Sequence, residues 1–351
     1  MDKRWLEMWE RLVNTPTGPD IDLKEKIEST YFIAEVLKDY GFDVQHRSAT
    51  HVAVRGTPPY ITLIGHLDTV FKRGEEKKRP FRVEGDRAYG PGVLDMKGGI
   101  IVLLAALESL NVDNLCVILN VDEELGSTSS RPVIDEYAAK TSYCLSFEPG
   151  FPDGSIIGAR KGAAFGKLVV HGKKGHGSRL YEGANAIVEA AHKVTALWAM
   201  NPTFKYLTFN PSIISGGVKT NVTPDYVEVT MDVRFYDDLE LKKFFETLDS
   251  ISSLSYIPGT RTEYELNVNR GPMKECEELT TLARSRGFNP ILSPGGGDIS
   301  FFEKGLDGLG VDGGNLHSED EYAIVSSFDK KVELARFLIS ELSSWRKPQE
   351  L

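Results

Sequence analysis

Cysteine, positive charge and uninterrupted apolar runs are all in short supply in this 351-residue sequence, and each shortage excludes something. The three cysteines, Cys116, Cys144 and Cys276, are odd in number and far apart. That excludes a disulfide framework and a cysteine-built zinc site, and it suits a reducing, cytoplasmic compartment. Cys116 and Cys144 stand in apolar runs and are expected in a core. No stretch approaches the roughly eighteen apolar residues of a membrane-spanning helix, and the opening "MDKRWLEMWERL" lacks the apolar centre of a signal peptide. Lys and Arg number 41 against 51 Asp and Glu, a formal charge of −10 with a pI near 5.3. A nucleic-acid surface needs clustered cations, so neither nucleic acid nor membrane is expected as a partner.

What is present is enough apolar material, 41% of residues, for two hydrophobic cores. Trp5, Met8, Trp9 and Leu12 recur at helical spacing. Over the first 150 residues, buried-strand patterns at 60–65, 115–121 and 143–147 alternate with helical ones at 96–110 and 128–140. The expectation is an α/β domain with a largely parallel sheet, whose ligand sites lie beyond the carboxyl ends of the strands. From about residue 160 the pattern changes to strand (165–172), helix, strand (211–217), strand (226–235), helix and strand (262–269). The first of these helices carries Ile187, Ala191, Val194 and Trp198 on one face. That order is the split βαβ of a ferredoxin-like α+β sandwich. Residues 159–270 therefore read as a domain inserted into another made of 1–158 and 271–351.

Chemistry-bearing residues gather after the strands of the first domain. "NVDEELGS" sets Asp122, Glu123 and Glu124 side by side, where like charges repel unless a cation sits between them. Alone, the triplet reads as a solvated corner. "LIGHLDTV" ends a strand with His66 and Asp68, spaced so that the carboxylate can take the Nδ1 proton and leave Nε2 for a metal. A structural histidine held by an acid has the same pattern. The glycine-rich "YGPGVLDMKGG" delivers Asp95 to the start of an apolar helix, where an N-cap is the simpler role. "SFEPG" contributes Glu148, and "GGNLHSEDEY" contributes His317. Two histidines and several carboxylates in loops after strands form the ligand set expected for two zinc ions sharing a carboxylate, with cobalt or manganese as alternatives.

These motifs, in this order and over nearly the whole chain, resemble the two-zinc metallopeptidases that include acetylornithine deacetylase, succinyl-diaminopimelate desuccinylase, aminoacylase and glutamate carboxypeptidase. The likeness to the glutamate carboxypeptidase branch rests on "HLDTVFKRGEEKKRPFRVEGDRAYGPG" (66–92) and "LSFEP" (145–149). The resemblance implies a zinc-exopeptidase-type mixed sheet flanked by helices, with the ferredoxin-like insert serving as dimerisation domain. It implies that His66 and Glu148 bind one zinc, Glu124 and His317 the other, and that Asp95 bridges them, followed by a cis peptide bond to Met96. Asp68 would steady His66, and Glu123 would be the general base. Three carboxylates against two divalent ions leave one positive charge, which Glu123 balances. Asp122 gains no role and remains a solvated acid.

His176, in "GKKGHGSRLYEGANA", matches a histidine that reaches the active site of the other subunit, which implies a homodimer. Asn221 matches a neighbouring asparagine. Arg234 and Arg270 match regions that bind a substrate's free carboxylate, although Arg234 reads equally as a strand residue paired with an acid. Gly296, in "SPGGGDIS", falls in a stretch that resembles the family's glycine-rich substrate loop, whose backbone N–H groups can approach a ligand. Met96, Gly297, Lys174 and Gly175 depart from the usual pattern without removing a ligand. The implied reaction is hydrolysis of an amide in a small peptide, releasing a C-terminal residue such as glutamate. An N-acyl amino acid deacylase is the alternative. A non-catalytic metal-binding dimerisation protein is a more remote one, against which the intact Glu123 argues. His46, His51, His171 and His192 fit no ligand motif, and His192 is expected at the surface.

Overall fold

The structure, a computed structural model, describes residues 1–108 and 110–345. Ser109, in the helix expected over 96–110, and residues 346–351, at the end of the segment expected over 271–351, lie outside the described residues. The chain forms two compact units. One comprises Met1–Ala159, Met273–Ser293 and the chain from Gly297; the other comprises Arg160–Pro272 and Pro294–Gly296.

The first unit is built on a six-stranded mixed sheet in the order Asp43–Arg47, Thr50–Arg55, Leu115–Asn120, Tyr60–His66, Thr141–Ser146, Gly305–Leu306. Its last four strands run parallel and its first two antiparallel. Tyr60–His66 and Leu115–Asn120 are buried at every position, as continuous apolar runs between two helical layers should be. The helix Gly99–Leu107 is buried throughout and has no polar face; it packs against the long helix Ser327–Ser344. The amphipathic helix Lys3–Val13 closes this core, with Trp9 Nε1 donating to Val93 O at 3.1 Å. Cys116 and Cys144 are buried, as expected. A smaller antiparallel sheet joins Gly313–Gly314, Tyr322–Ile324, Arg87–Tyr89 and Arg82–Glu84.

The second unit is a four-stranded antiparallel sheet in the order Thr208–Gly216, Tyr226–Phe235, Gly162–His171, Arg261–Arg270, with the helices Ala186–Trp198 and Asp238–Ser253 on one face. Alternate residues of Tyr226–Phe235 are buried, so one face of the sheet meets the helices. In the helix Ala186–Trp198 the buried side carries Ala186, Glu189, Ala190, Lys193 and Leu197. The apolar face read from the sequence is largely turned outward, with Ile187 41% and Trp198 54% exposed. The pattern misleads because the buried side hides two charges that neutralise each other, Lys193 Nζ and Glu189 Oε1, 3.1 Å apart. No helix among the described residues is long and apolar enough to cross a membrane.

Candidate metal centre

Three parallel neighbours end together and set out most of the centre. His66 is the last residue of its strand and pairs in register with Asn120, the last of the next. Ile64 pairs with Ser146, so Glu148 follows on the third strand two residues past its end. Glu123 and Glu124 sit in a single 3₁₀ turn just beyond Asn120. Asp95 comes from a tight turn, Val93–Gly98, entered through Gly92 at φ +70°, where a side chain would be strained. The Asp95–Met96 bond is cis. Met96 is buried, and its sulfur accepts the His66 N–H at 3.1 Å. His317 stands on the loop between Gly313–Gly314 and Tyr322–Ile324.

The two oxygens of Asp95 face two different histidines. Oδ1 lies 3.1 Å from His66 Nε2, and Oδ2 lies 3.1 Å from His317 Nε2. Each histidine meets one further carboxylate: Glu148 Oε1 is 3.7 Å from His66 Nε2, and Glu124 Oε1 is 3.3 Å from His317 Nε2. His66, Asp95 and Glu124 offer ligand atoms that all lie within 4.8 Å of one another. The other nitrogen of His66 lies 3.0 Å from the main-chain oxygen of Asp68 and 3.4 Å from its carboxylate.

Burial opposes charge here, yet the acids prevail. Burial disfavours protonated His66, but its bonds to Asp68 and Asp95 hold its pKa well above the ordinary value. His317, bonded to Asp95 and close to Glu124, is pushed up to about 10. Asp95 is likewise desolvated, but His317 and His66 hold its pKa below the usual carboxylate range. Burial raises that of Glu124. Three carboxylates thus converge on two imidazoles in a site that calls for additional positive charge. Glu124 Oε1 is shut off from solvent and lacks a hydrogen bond of good geometry. Divalent cations fit this donor set, with oxygen and imidazole ligands and no thiolate.

Several buried groups hold these candidate ligands, and of them sequence reasoning had singled out only Asp68, as the partner of His66. The Asp68 carboxylate accepts the main-chain N–H of Glu123 and of Glu124, each at 3.1 Å. Asp298 receives Asn120 Nδ2 and Ser127 Oγ, from either side of the acidic turn. Lys26 Nζ, fully buried, donates to Val121 O at 3.1 Å. Glu321, 1% exposed and raised to about 7 by burial, takes three N–H groups of the turn that carries Asp95. Asp122 is not the solvated acid expected. It is buried, and its Oδ2 accepts the N–H groups of Ser129 and Ser130 at 2.7 and 3.2 Å, because the start of the helix Arg131–Ala138 leaves donors without helical acceptors. Only the acid–serine spacing in "DEELGSTSS" could have suggested this.

The remaining candidates belong to the second unit, or to the glycine loop that clusters with it. The backbone of His176 bridges to Val222, and Gly177 N–H donates to Asn221 O at 2.9 Å, so His176 and Asn221 are neighbours. The His176 ring is exposed, with Nδ1 2.8 Å from Ser178 Oγ. Arg234 pairs with Asp232 at 2.8 Å, the alternative its sequence context allowed. Arg270 is buried, and a Cβ at Gly296 would come within 3.8 Å of its Cδ. Arg160 Nη1 donates to the carbonyls of Gly295 and Gly296, each at 3.1 Å. His192 is exposed and stacks on Tyr256.

With this geometry in hand, residues 62–341 match peptidase family M20/M25/M40. The chain belongs to that family. It is therefore a metal-dependent hydrolase acting on amide bonds. Carboxypeptidase G2 of Pseudomonas sp. (strain RS-16) is 30% identical over 368 residues, covering 95% of this chain and 88% of that protein. Succinyl-diaminopimelate desuccinylase of Magnetococcus marinus is 25% identical, covering 87% and 90%. The crystal structure of Bacillus subtilis YXEP, described as a dinuclear metal binding peptidase from the M20 family, matches at a TM-score of 0.72 and 16% identity, covering 97% of this chain and 98% of that one. The M20 fold, a mixed sheet flanked by helices, is thus common to both.

Proposed function

We propose that this M20 hydrolase is a dizinc exopeptidase that releases a C-terminal amino acid such as glutamate from a small peptide or related N-acyl amino acid. The observation that carries the reading is Asp95, whose two oxygens each face a histidine that has its own second carboxylate. His66 and Glu148 would hold one ion, His317 and Glu124 the other, with Asp95 between. When bound, the ions supply Lewis acidity and make water a stronger acid. Zinc suits the mixed imidazole and carboxylate set, which cobalt or manganese could also occupy. The 30% identity to carboxypeptidase G2 along nearly the whole chain supports a carboxypeptidase.

Glu123 takes the proton of the attacking water and returns it to the departing amine. Its place follows from the turn it shares with Glu124, where the Asp68 carboxylate holds both main-chain N–H groups and lets adjacent acids take different tasks. Arg270 supplies the cation for the substrate's free carboxylate, as a bidentate donor. The glycine loop at Gly296 adds main-chain donors, since Arg160 already draws the Gly295 and Gly296 carbonyls to its own side. Arg234, already paired with Asp232, is the weaker candidate. His176, with Asn221 beside it, stabilises the developing oxyanion in the other protomer of a homodimer.

The second reading, an N-acyl amino acid deacylase, draws support from the similarity to succinyl-diaminopimelate desuccinylase. Metal analysis followed by hydrolysis assays on peptides, folates, N-acyl glutamates and acetylated or succinylated amino acids separates the two. Release of C-terminal residues from peptides supports the first, and strict preference for short acyl groups the second. Failure of the metal-replete protein to cleave any of them would overturn both. The Glu123→Gln variant should keep its metal and lose about 10²–10⁴-fold in kcat.

A further inference from the structure

We infer that Glu321 is a positioning residue that locks the loop bearing His317 onto the turn bearing Asp95, and so sets the spacing of the two ligands they deliver. The inference rests on the metal-site reading above and extends it to a residue outside the ligand set.

Four observations converge. Glu321 lies four residues after His317, on the same loop, and is 1% exposed. Its Oε1 accepts the N–H of Leu94 at 2.8 Å and of Asp95 at 2.9 Å, and its Oε2 faces the N–H of Gly92 at 3.3 Å. One side chain therefore takes donors from the whole approach to Asp95, including that residue's own amide. The next residue, Tyr322, pairs across the small sheet with Tyr89, which fixes the main chain on both sides of the contact.

The third observation is the exposure of the His317 loop, whose other main-chain tie to a distant part of the chain, Arg79 Nη1 donating to Glu319 O at 2.9 Å, lies at the surface. Its side chain is 52% exposed, and its backbone stands at φ +61°, in the left-handed region that non-glycine residues rarely occupy; Asn315 is at φ +60°. A half-exposed ligand on such a loop needs an anchor within the fold. Inside the loop, Ser318 Oγ donates to Asn315 O at 2.8 Å and Glu321 N–H to Ser318 O at 3.2 Å, so the segment from Asn315 to Glu321 is tied into one piece. Glu321 is the end of that piece that is buried.

The fourth is the choice of side chain. The three donors belong to one tight turn, and a carboxylate offers only acceptors to all three. Partners of this kind around metal ligands commonly govern affinity by their hold on ligand orientation.

The test uses the full-length protein with Zn²⁺ or Co²⁺ alone as probe. Competition titration against a chromophoric chelator gives the affinity for each ion, the visible spectrum of the Co²⁺-loaded protein reports ligand geometry, and thermal unfolding of the metal-free protein reports fold stability. Glu321→Ala should lower the affinity for at least one ion by about 10–100-fold and change the Co²⁺ spectrum. Glu321→Gln keeps an oxygen for Leu94 and Asp95 but turns an amide N–H₂ toward Gly92. It should lose less, at least about 3-fold, and it remains the test if the alanine variant does not fold. Wild-type affinity for both ions with an unchanged spectrum, in whichever of the two variants folds, would overturn the inference. His66→Ala measured alongside separates the two levels of argument. If it too binds both ions normally, the metal-site reading fails; if it loses metal while the Glu321 variants do not, Glu321 alone loses its role.

Discussion

Asp68 holds the main-chain N–H of Glu124 through Oδ2 at 3.1 Å, while its other oxygen holds that of Glu123 at the same distance. One buried carboxylate thereby orients both the proposed metal ligand and the proposed general base. Asp68→Ala would leave two N–H groups without their acceptor, an expected loss of about 1–3 kcal/mol in the order of the turn. Metal affinity should fall on the order of 10–100-fold, with kcat falling alongside. Asp68→Asn is no conservative change here, because its amide N–H₂ would point at a main-chain N–H. It should behave more like the alanine variant than like wild type. Metal titration and steady-state kinetics on both variants check this, and wild-type values for Asp68→Asn would show that the turn holds itself.

The second unit hides a complete ion pair. Lys193 and Glu189 are both 0% exposed. Lys193 Nζ also donates to the carbonyls of Ile251 at 2.6 Å and Leu254 at 2.6 Å, and Glu189 Oε2 accepts the Ile257 N–H at 2.7 Å. The pair ties the helix Ala186–Trp198 to the end of the helix Asp238–Ser253 and the loop after it. Lys193→Met leaves a buried carboxylate unpaired and should cost about 3–5 kcal/mol. Adding Glu189→Leu removes that stranded charge and should restore part of the loss. Full recovery is not expected, since the carbonyls and the Ile257 N–H stay without partners. Urea unfolding of wild type, single and double variants gives the comparison; a neutral single variant would mean the pair contributes nothing.

The strand ends and the acids and histidines that gather beyond them were legible because both causes are local. Runs such as "YITLIG" and "LCVILNV" are apolar without alternation, as strands covered on both faces are, and the polar residues that follow them have to leave the sheet at its carboxyl edge. Glu321 was not legible. It is one of three acids in "SEDEY", and what turns it inward is the pairing of Tyr322 with Tyr89, a contact between distant parts of the chain. Asp122 was misread for a similar reason, since its partners Ser129 and Ser130 lie across a turn that doubles back on it. Helical periodicity also pointed to the exposed side of Ala186–Trp198. An apolar scale scores Lys193 and Glu189 as surface residues, although burial together is what neutralises them.

That outward face makes the proposed homodimer testable. Ile187 and Trp198 are exposed beside the strand Thr208–Gly216, which is an edge of its sheet and carries Ile213 and Ile214, 64% and 59% exposed. A nine-residue edge with apolar side chains and no inward charge is an invitation to pair. Light scattering should give a dimer for wild type and a monomer for Ile214→Lys with Trp198→Glu. A second measurement addresses His176. Glu123→Gln and His176→Ala, each inactive as a homodimer, should regain about a quarter of wild-type activity when unfolded together and refolded as a mixture. Half of the dimers are then mixed, and each mixed dimer holds one complete site. No regain would mean that His176 serves its own protomer or neither.

Stability should also depend on a pair of histidines outside the metal centre. His51 is buried, with Nε2 2.9 Å from Thr30 Oγ and Nδ1 2.7 Å from His46 Nδ1. The Thr30 hydroxyl already donates to Lys26 O at 2.7 Å, so it accepts from His51 Nε2–H. His51 Nδ1 is then the acceptor, and His46 Nδ1–H fills it. A proton added to His51 would have to displace that bond, which agrees with burial and the neighbouring His46 lowering the His51 pKa to about 3. The unfolded chain binds this proton near pH 6.5 and the folded chain does not until about pH 3, so between these values the unfolded state carries more protons and stability falls as the pH falls. Each pH unit of the window should cost ~1.4 kcal/mol from this group. His51→Gln keeps an N–H for Thr30 and removes the titration, and it should flatten the decline in thermal stability from pH 6.5 downward relative to wild type. Equal slopes in the two proteins would show that His51 takes up its proton in the folded state as readily as in the unfolded one.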